Sequence, residues 1–177
     1  MNKKITKLIS ITILTLTMSG CVTPQEATPV IQAETAIYQQ PTGIDPILSH
    51  AKSLRVKAIR KQVVKQALSG VGVRYVYSGM SRSGWDCSGF TAYVYGKFGI
   101  QLEHSATKQA HSAKPNRKPQ AGDLVAFSRG DGYWYYHVGI YIGNGKVVNA
   151  NSYYGRTVVE PITNYKGDKI TYINVIK

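Results

Sequence analysis

The chain has 177 residues, with 22 Lys or Arg against 9 Asp or Glu, and its formal net charge is +13. A chain of this length suits one domain with a tail and does not fit several large domains. The basic residues are scattered without a run of five or more like charges, so the surplus suits either a solvated surface or an anionic partner.

The first 20 residues have the pattern of a secretion signal. Lys3, Lys4 and Lys7 form a basic start, and the apolar stretch 8–18 is too short to cross a bilayer as a stable helix. Removing residues 1–20 takes away three lysines and no acids, which leaves 19 basic and 9 acidic residues and a net charge of +10. For an exported chain, cell-wall carboxylates or anionic lipid suit this charge better than nucleic acid does.

Cys21 stands where the signal would be cut. It follows the small residues Ser19 and Gly20, and this arrangement resembles the lipobox of bacterial lipoproteins, in which cleavage leaves a lipid-modified cysteine. An ordinary secretory signal that contains Cys21 is the alternative. Val22 is not the Asp that usually retains lipoproteins at an inner membrane. The prediction is therefore a lipid anchor in the outer membrane, facing the periplasm, or in the cell membrane of a host with a single membrane.

Residues 21–52 are predicted to be a flexible tether, and residues 53–177 the folded domain. The tether is rich in Thr, Gln, Ala and Pro and has few bulky side chains to bury; its prolines are Pro24, Pro29, Pro41 and Pro46. An amphipathic helix is predicted from Ser53 to Leu68, ending near Gly70. Its apolar positions are Leu54, Ala58, Val64 and Leu68.

A second helix is predicted to begin near Cys87, after an extended piece at 73–78. Phe90, Val94 and Phe98 form one apolar stripe, and Gly99 is expected to end the helix. Residues 101–121 are predicted to be a loop with room for a short helix. The pattern then changes to strands, at 123–127, 138–142, 146–150, 157–160 and 170–176. Helices followed by consecutive strands predict an α+β domain with an antiparallel sheet.

Cys87 is the candidate nucleophile. The only other cysteine, Cys21, lies at the end of the signal, so Cys87 has no evident disulfide partner. At the first turn of a helix, free backbone N–H groups and the helix dipole favour a thiolate. The position therefore predicts a reactive thiol.

A cysteine nucleophile needs a base, and four histidines are available. His137 is the choice, because it opens a predicted strand and a strand end over a sheet fixes a side chain well. His104 and His111 lie in the polar stretch after the second helix, and His50 lies in the tether. We treat His50 and His111 as surface residues.

Asn149 is the candidate for the residue that orients His137. A two-residue turn at 144–145 would place Asn149 on the opposite face. A three-residue loop with a left-handed Gly145 would place Gly139 opposite Asn149 and put His137 and Asn149 on one face as diagonal neighbours. Spacing alone leaves both registers open, as well as a capping role for Asn149.

Together these segments resemble the NlpC-type cell-wall peptidases, a branch of the papain-like cysteine hydrolases. The resemblance runs from about residue 64 to 159. Its signatures are Arg74-Tyr75-Val76-Tyr77-Ser78-Gly79, Gly84-Trp85-Asp86-Cys87-Ser88-Gly89-Phe90, the segment 102–109, Gly122-Asp123-Leu124-Val125-Ala126-Phe127, and His137-Val138-Gly139-Ile140-Tyr141-Ile142-Gly143. The resemblance implies a papain-like NlpC-type fold, with N-terminal helices packed on an antiparallel sheet of about five or six strands.

The resemblance also assigns roles to residues. It implies Cys87 as nucleophile, His137 as base and Asn149 in the third catalytic position, where the family most often has a second histidine. Tyr75 would assist the Cys87 amide at the oxyanion. Asp86, Ser88 and Ser105 fall where family members contact the stem peptide. The segment Leu102-Glu103-His104-Ser105 replaces the commoner Leu-Pro-Arg-Ser, and a glycine is commoner at Ser78.

The implied reaction is hydrolysis of amide bonds in peptidoglycan stem peptides or crosslinks by a Cys-His-Asn thiol mechanism. The bond would be D-glutamyl-diaminopimelate or, slightly favoured for a tethered lipoprotein, diaminopimelate-D-alanine. A catalytically silent wall-binding or scaffold lipoprotein, and an acyltransferase on the same fold, are the alternatives. No cofactor and no metal are expected, since one free cysteine and scattered histidines form no metal motif. The expected partners are peptidoglycan, the membrane through the lipid anchor and, as a further option, an envelope regulatory protein.

Overall fold

A computed structural model describes residues 44–177, which form an α+β domain. Its helices are α1 (Ile44–Leu68), α2 (Cys87–Gly96) and α3 (Ala106–Ala110), with a 3-10 turn at Ile162–Tyr165. Its strands are β1 (Met80–Ser81), β2 (Gly84–Trp85), β3 (Leu124–Ser128), β4 (His137–Gly143), β5 (Lys146–Asn151), β6 (Arg156–Pro161) and β7 (Lys169–Ile173). The predicted signal peptide 1–20, Cys21 and the tether as far as residue 43 lie outside the described residues. Across 44–177, no helix combines the length and the apolar character needed to cross a membrane.

The main sheet confirms the predicted architecture. Five antiparallel strands lie in the order β6-β5-β4-β3-β7, while β1 and β2 pair separately. The strand bounds agree with the predicted ones to within one residue, except that β7 ends at Ile173. The predicted extended piece at 73–78 is not a strand, because only Arg74 and Tyr75 make isolated bridges.

The helix α1 begins at Ile44, nine residues before the predicted start at Ser53. Pro46, which lies in the predicted tether, falls in the first turn of the helix, where a missing N–H removes no intrahelical hydrogen bond. Residues 44–55 are all exposed. The early turns of α1 are therefore helical but do not contribute to the core.

The buried face of α1 is not the predicted one. Leu54 and Leu68 are 52% and 42% exposed, whereas Val63 and Ala67 are fully buried. Arg60 lies on the same buried face and its Nη1 donates to Asp123 Oδ1 at 2.7 Å. The apolar spacing alone did not identify this face, because the buried guanidinium of Arg60 has a buried carboxylate as its partner.

The helix α2 packs against one face of the sheet, chiefly against β4 and β5. Phe90 and Val94 are buried as predicted and join the main core. The helix ends at Gly96, three residues before Gly99, which has a left-handed φ of 75° in the turn that follows. This packing directs the first turn of α2 toward the start of β4.

Candidate active site

Cys87 is the first residue of α2, as the sequence predicted. The preceding Asp86 caps the helix, since its Oδ1 accepts a hydrogen bond of 2.7 Å from the Gly89 amide. The Cys87 side chain is partly exposed and is a free thiol within residues 44–177. The helix start therefore presents a sulfur atom to solvent on a rigid backbone.

The thiol does not have the low pKa that its position predicted. Burial, followed by the neighbouring Asp86 carboxylate, raises the pKa of Cys87 to about 11. Hydrogen bonds from the backbone amides of Val138, Ser88 and Cys87 itself lower the pKa, but they do not outweigh burial. This geometry therefore does not favour the thiolate that the helix start predicted. The resting side chain is a neutral thiol, so a base must take its proton during attack.

His137 is the first residue of β4 and lines the same cleft as Cys87. Its side chain is 9% exposed, and burial lowers the pKa of the imidazole; Asn149, Glu160 and Asp168 act more weakly in the opposite direction. The ring is therefore neutral near pH 7. Its Nε2 lies 2.9 Å from Asn149 Oδ1.

The pairing of β4 with β5 places His137 and Asn149 on one face. Ile140 pairs with Val148, so the antiparallel ladder continues with Gly139 opposite Asn149. Of the two registers that the sequence left open, this is the one that brings the two side chains together. A Cβ atom on Gly139 would lie 2.9 Å from Asn149 Cβ, so glycine is needed for this close approach.

The turn that produces this register differs from the predicted one. Asn144 and Gly145 both have positive φ, 50° and 67°, as a two-residue type I′ turn requires. Gly143 pairs with Lys146 across that turn, and the register shifts between Tyr141 and Gly143. A bulge does form, but it lies before the turn, at Ile142–Gly143, where Gly143 has a φ of 91°.

Glu160 is a site residue that the sequence analysis missed. Its carboxylate accepts hydrogen bonds from Asn149 Nδ2 (2.8 Å), Asn151 Nδ2 (3.0 Å), Tyr165 Oη (2.9 Å) and Asn164 Nδ2 (3.0 Å). Burial raises the pKa of Glu160, but these hydrogen bonds together outweigh it and lower the pKa, so the group is ionised. Only the β5–β6 register, which the sequence analysis did not address, would have pointed to this residue.

Two tyrosines hold the plane of the His137 ring. The Tyr165 ring stacks on it with centroids 5.7 Å apart and an interplanar angle of 16°, and the Tyr136 ring does so at 6.2 Å and 25°. The Tyr136 hydroxyl donates to Asp168. Stacked aromatic rings and the bond to Asn149 restrict rotation of the imidazole.

Cys87 and His137 open onto a cleft of about 140 Å³. Tyr75, predicted to assist at the oxyanion, lines the same cleft. Burial, and then the neighbouring Cys87 and Asp86, raise the pKa of Tyr75, so its phenol is protonated and can donate a hydrogen bond. The cleft is completed by Tyr136, Asn151, Ser152 and Tyr165.

The predicted substrate contacts have partners within the domain. Ser88 Oγ donates to Asp86 Oδ1 at 3.1 Å, and His104 Nε2 lies 2.8 Å from Asp86 Oδ2. His104, which stands where an arginine is commoner, therefore contacts Asp86. Ser105 caps α3 by accepting from the Lys108 amide at 3.4 Å. Contact of Asp86, Ser88 and Ser105 with a substrate stays a prediction.

The comparison with protein families matches the NlpC/P60 family over residues 72–174. The curated relatives include a "Probable endopeptidase p60" of Listeria welshimeri, which is 41% identical over 90 residues. The match covers 50% of this chain and 17% of the Listeria protein. The chain thus spans less than a fifth of that relative's length.

Solved structures share the fold. The peptidoglycan hydrolase RipB of Mycobacterium tuberculosis aligns with a TM-score of 0.61 and 24% identity, covering 70% of this chain and 68% of RipB. RipD of the same organism, described as a non-catalytic NlpC/p60 domain protein adapted to peptidoglycan binding, aligns with a TM-score of 0.57 and 22% identity, covering 66% of this chain and 97% of RipD. The same fold thus occurs with and without catalysis, so the geometry of the site must decide between them.

Proposed function

Because the chain belongs to the NlpC/P60 family, we propose that it is a cysteine endopeptidase that hydrolyses amide bonds in peptidoglycan. The proposal rests mainly on one observation. His137, with Nε2 held by Asn149 Oδ1 at 2.9 Å, shares a small cleft with the partly exposed thiol of Cys87. A nucleophile, a base and an orienting partner on rigid elements are the parts that thiol catalysis needs.

The first step is proton transfer from the thiol. Asn149 offers its oxygen to His137, so Nε2 carries the ring proton and Nδ1 is the free acceptor. As the sulfur of Cys87 attacks the substrate carbonyl, Nδ1 takes the thiol proton. Since the thiol and the imidazole are both neutral at rest, the charge pair forms during attack, where Glu160 and Asp168 stabilise the imidazolium.

The tetrahedral oxyanion then needs hydrogen-bond donors. The Cys87 amide is at the first position of α2, where a backbone N–H has no intrahelical partner. The protonated Tyr75 hydroxyl, on the same cleft, is the second donor. His137 next protonates the leaving amine, and it then activates the water that releases the acyl group from Cys87.

The proposed substrate is the stem peptide of peptidoglycan. The bond is D-glutamyl-diaminopimelate or diaminopimelate-D-alanine, and the second is slightly favoured for a tethered lipoprotein. Free carboxylates of the cell wall suit a mature chain with a net charge of +10. Asp86, Ser88 and Ser105 are proposed to contact the stem peptide.

The proposed location of the protein is the cell envelope. Cleavage after residue 20 and lipidation of Cys21 would anchor the chain in the outer membrane, or in the cell membrane of a host with one membrane. Residues 22–43, and the exposed first turns of α1, would let the domain reach the wall. An envelope regulatory protein is a further proposed partner.

A silent wall-binding protein is the second candidate, and it is favoured by the fold shared with RipD. It does not account for a free thiol and a buried, oriented imidazole on one cleft. An acyltransferase on the same fold would use the same thiol but a different acceptor. The three functions therefore predict different outcomes when the protein is incubated with peptidoglycan.

Digestion of purified peptidoglycan separates them. Residues 22–177, without the lipid anchor, are incubated with peptidoglycan and the fragments are identified by mass spectrometry. New fragments should carry one added water per bond cut, and Cys87→Ala should lower the rate by several orders of magnitude. Equal products from the parent and Cys87→Ala would refute the enzyme, and a bound but uncut wall would favour the silent alternative. Products that join two substrate pieces without water would indicate the acyltransferase.

A further inference from the structure

We infer that Glu160 is a positioning residue of the site, which fixes the Asn149 amide so that its oxygen faces His137. Asn149 Nδ2 donates to Glu160 Oε1 at 2.8 Å, while Asn149 Oδ1 lies 2.9 Å from His137 Nε2. The role rests on the proposed endopeptidase function, because positioning matters only if His137 acts as a base.

An asparagine needs such a partner. The two ends of its amide have nearly the same size, but one donates and the other accepts. A flipped Asn149 would present Nδ2 to His137 and would favour the tautomer with the proton on Nδ1. That tautomer cannot accept the thiol proton of Cys87 through Nδ1. An ionised carboxylate only accepts hydrogen bonds, so Glu160 selects the orientation in which Nδ2 faces away from the imidazole.

Glu160 is itself held in place. It is 7% exposed, and Asn151, Asn164 and Tyr165 each donate to its carboxylate at 2.9–3.0 Å. In the β5–β6 ladder Val158 lies opposite Asn149, so Glu160 is the diagonal neighbour on the same face. Together with Asn149, these donors fix the position of the carboxylate, which has no cationic partner among its described contacts.

The second effect of Glu160 is electrostatic. The charged or titratable groups that face His137 are Glu160 on β6, Asp168 before β7, Tyr165, Tyr136 and the Cys87 thiol. Of these, Glu160 and Asp168 raise the pKa of the imidazole, and Glu160 does so more strongly. Asn149, in the third catalytic position, carries no charge. The Glu160 carboxylate, which accepts a hydrogen bond from Asn149, provides a negative charge near the imidazole.

The test is kinetic, with residues 22–177 acting on soluble muropeptides. Glu160→Gln keeps the shape and removes the charge, so kcat should fall at least tenfold with KM within twofold. The acid limb of the kcat/KM profile should move to lower pH, because the removed carboxylate raises the pKa of His137. Glu160→Asp, which keeps the charge, should recover part of kcat. Asp45→Asn also replaces a carboxylate by an amide, at an exposed position in the first turn of α1, and should leave both constants unchanged.

A purely structural role would lower the unfolding midpoint without moving the pH profile. If Glu160→Gln does not fold, the tautomer is read in the parent protein from the ¹⁵N shifts of His137, where a proton on Nε2 is expected. Unchanged kcat and pH profile in Glu160→Gln, or a proton on Nδ1 in the parent, would overturn the inference. An inactive parent, or an active Cys87→Ala, would refute the endopeptidase function instead.

Discussion

His137 Nε2 lies 2.9 Å from Asn149 Oδ1, across two strands whose pairing shifts by one residue near the turn. Without that shift the two side chains would point to opposite faces of the sheet, since side chains alternate along a strand. The site therefore depends on the bulge at Ile142–Gly143 as much as on the histidine and the asparagine themselves.

The raised pKa of Cys87 predicts slow alkylation at neutral pH. The thiolate is the reactive form, so its fraction grows as pH rises toward the pKa of about 11. In residues 22–177 Cys87 is the only thiol, so the iodoacetamide rate reports it alone. The rate should climb from about pH 6 to pH 10 without a plateau. The same protein unfolded in urea should instead show a midpoint near 8.5, the value of a free cysteine. A plateau of the alkylation rate at acidic pH would indicate a thiolate beside an imidazolium. It would contradict the neutral resting states of Cys87 and His137.

Gly139→Ala should separate β4 from β5. A Cβ atom there would lie 2.8 Å from Val148 O and 2.5 Å from Val147 Cγ2. Overpacking of this kind costs about 1–3 kcal/mol, and the displaced strand should also lower the rate of digestion. Urea unfolding and the peptidoglycan assay measure the two effects. Gly130→Ala is the matched control, because nothing lies within 4 Å of a Cβ atom at that position. Equal unfolding midpoints for the two variants would contradict the packing argument.

Arg60→Ala should destabilise the domain strongly. The change leaves Asp123, which is 0% exposed, as a buried carboxylate without its cation. Removing one partner of a buried ion pair costs about 3–5 kcal/mol. Lys61→Ala, at the next and exposed position of α1, should change the free energy of unfolding by less than about 0.5 kcal/mol. If denaturant unfolding gives Arg60→Ala the stability of Lys61→Ala, the ion pair does not hold α1 to the sheet.

Removal of residues 44–51 should leave the domain intact. These residues form the first two turns of α1, and all of them are exposed. Chains 44–177 and 52–177 should therefore have free energies of unfolding within about 0.5 kcal/mol of each other. Thermal and urea unfolding of the two chains provide the measurement. A loss of several kcal/mol on truncation would show that the folded domain begins well before the predicted boundary at residue 53.

The sequence by itself determined the start of α2, the five strands of the main sheet and the chemical type of the candidate site residues. Cys87 was placed at a helix start because the apolar spacing after it is helical, and His137 at a strand start because the apolar run after it is extended. These are local properties, since helix and strand periodicities act over a few residues. The five strands of the sheet were predicted on the same ground.

The tertiary structure decided how those residues meet and what charge they carry. The position of the bulge, the buried face of α1 and the contact of Glu160 with Asn149 all depend on pairings between distant segments. The pKa of Cys87 also depends on tertiary packing, because burial by the surrounding chain outweighs the local effect of the helix start. Desolvation and strand register depend on how distant segments of the chain pack together, so they cannot be predicted from a short stretch of sequence.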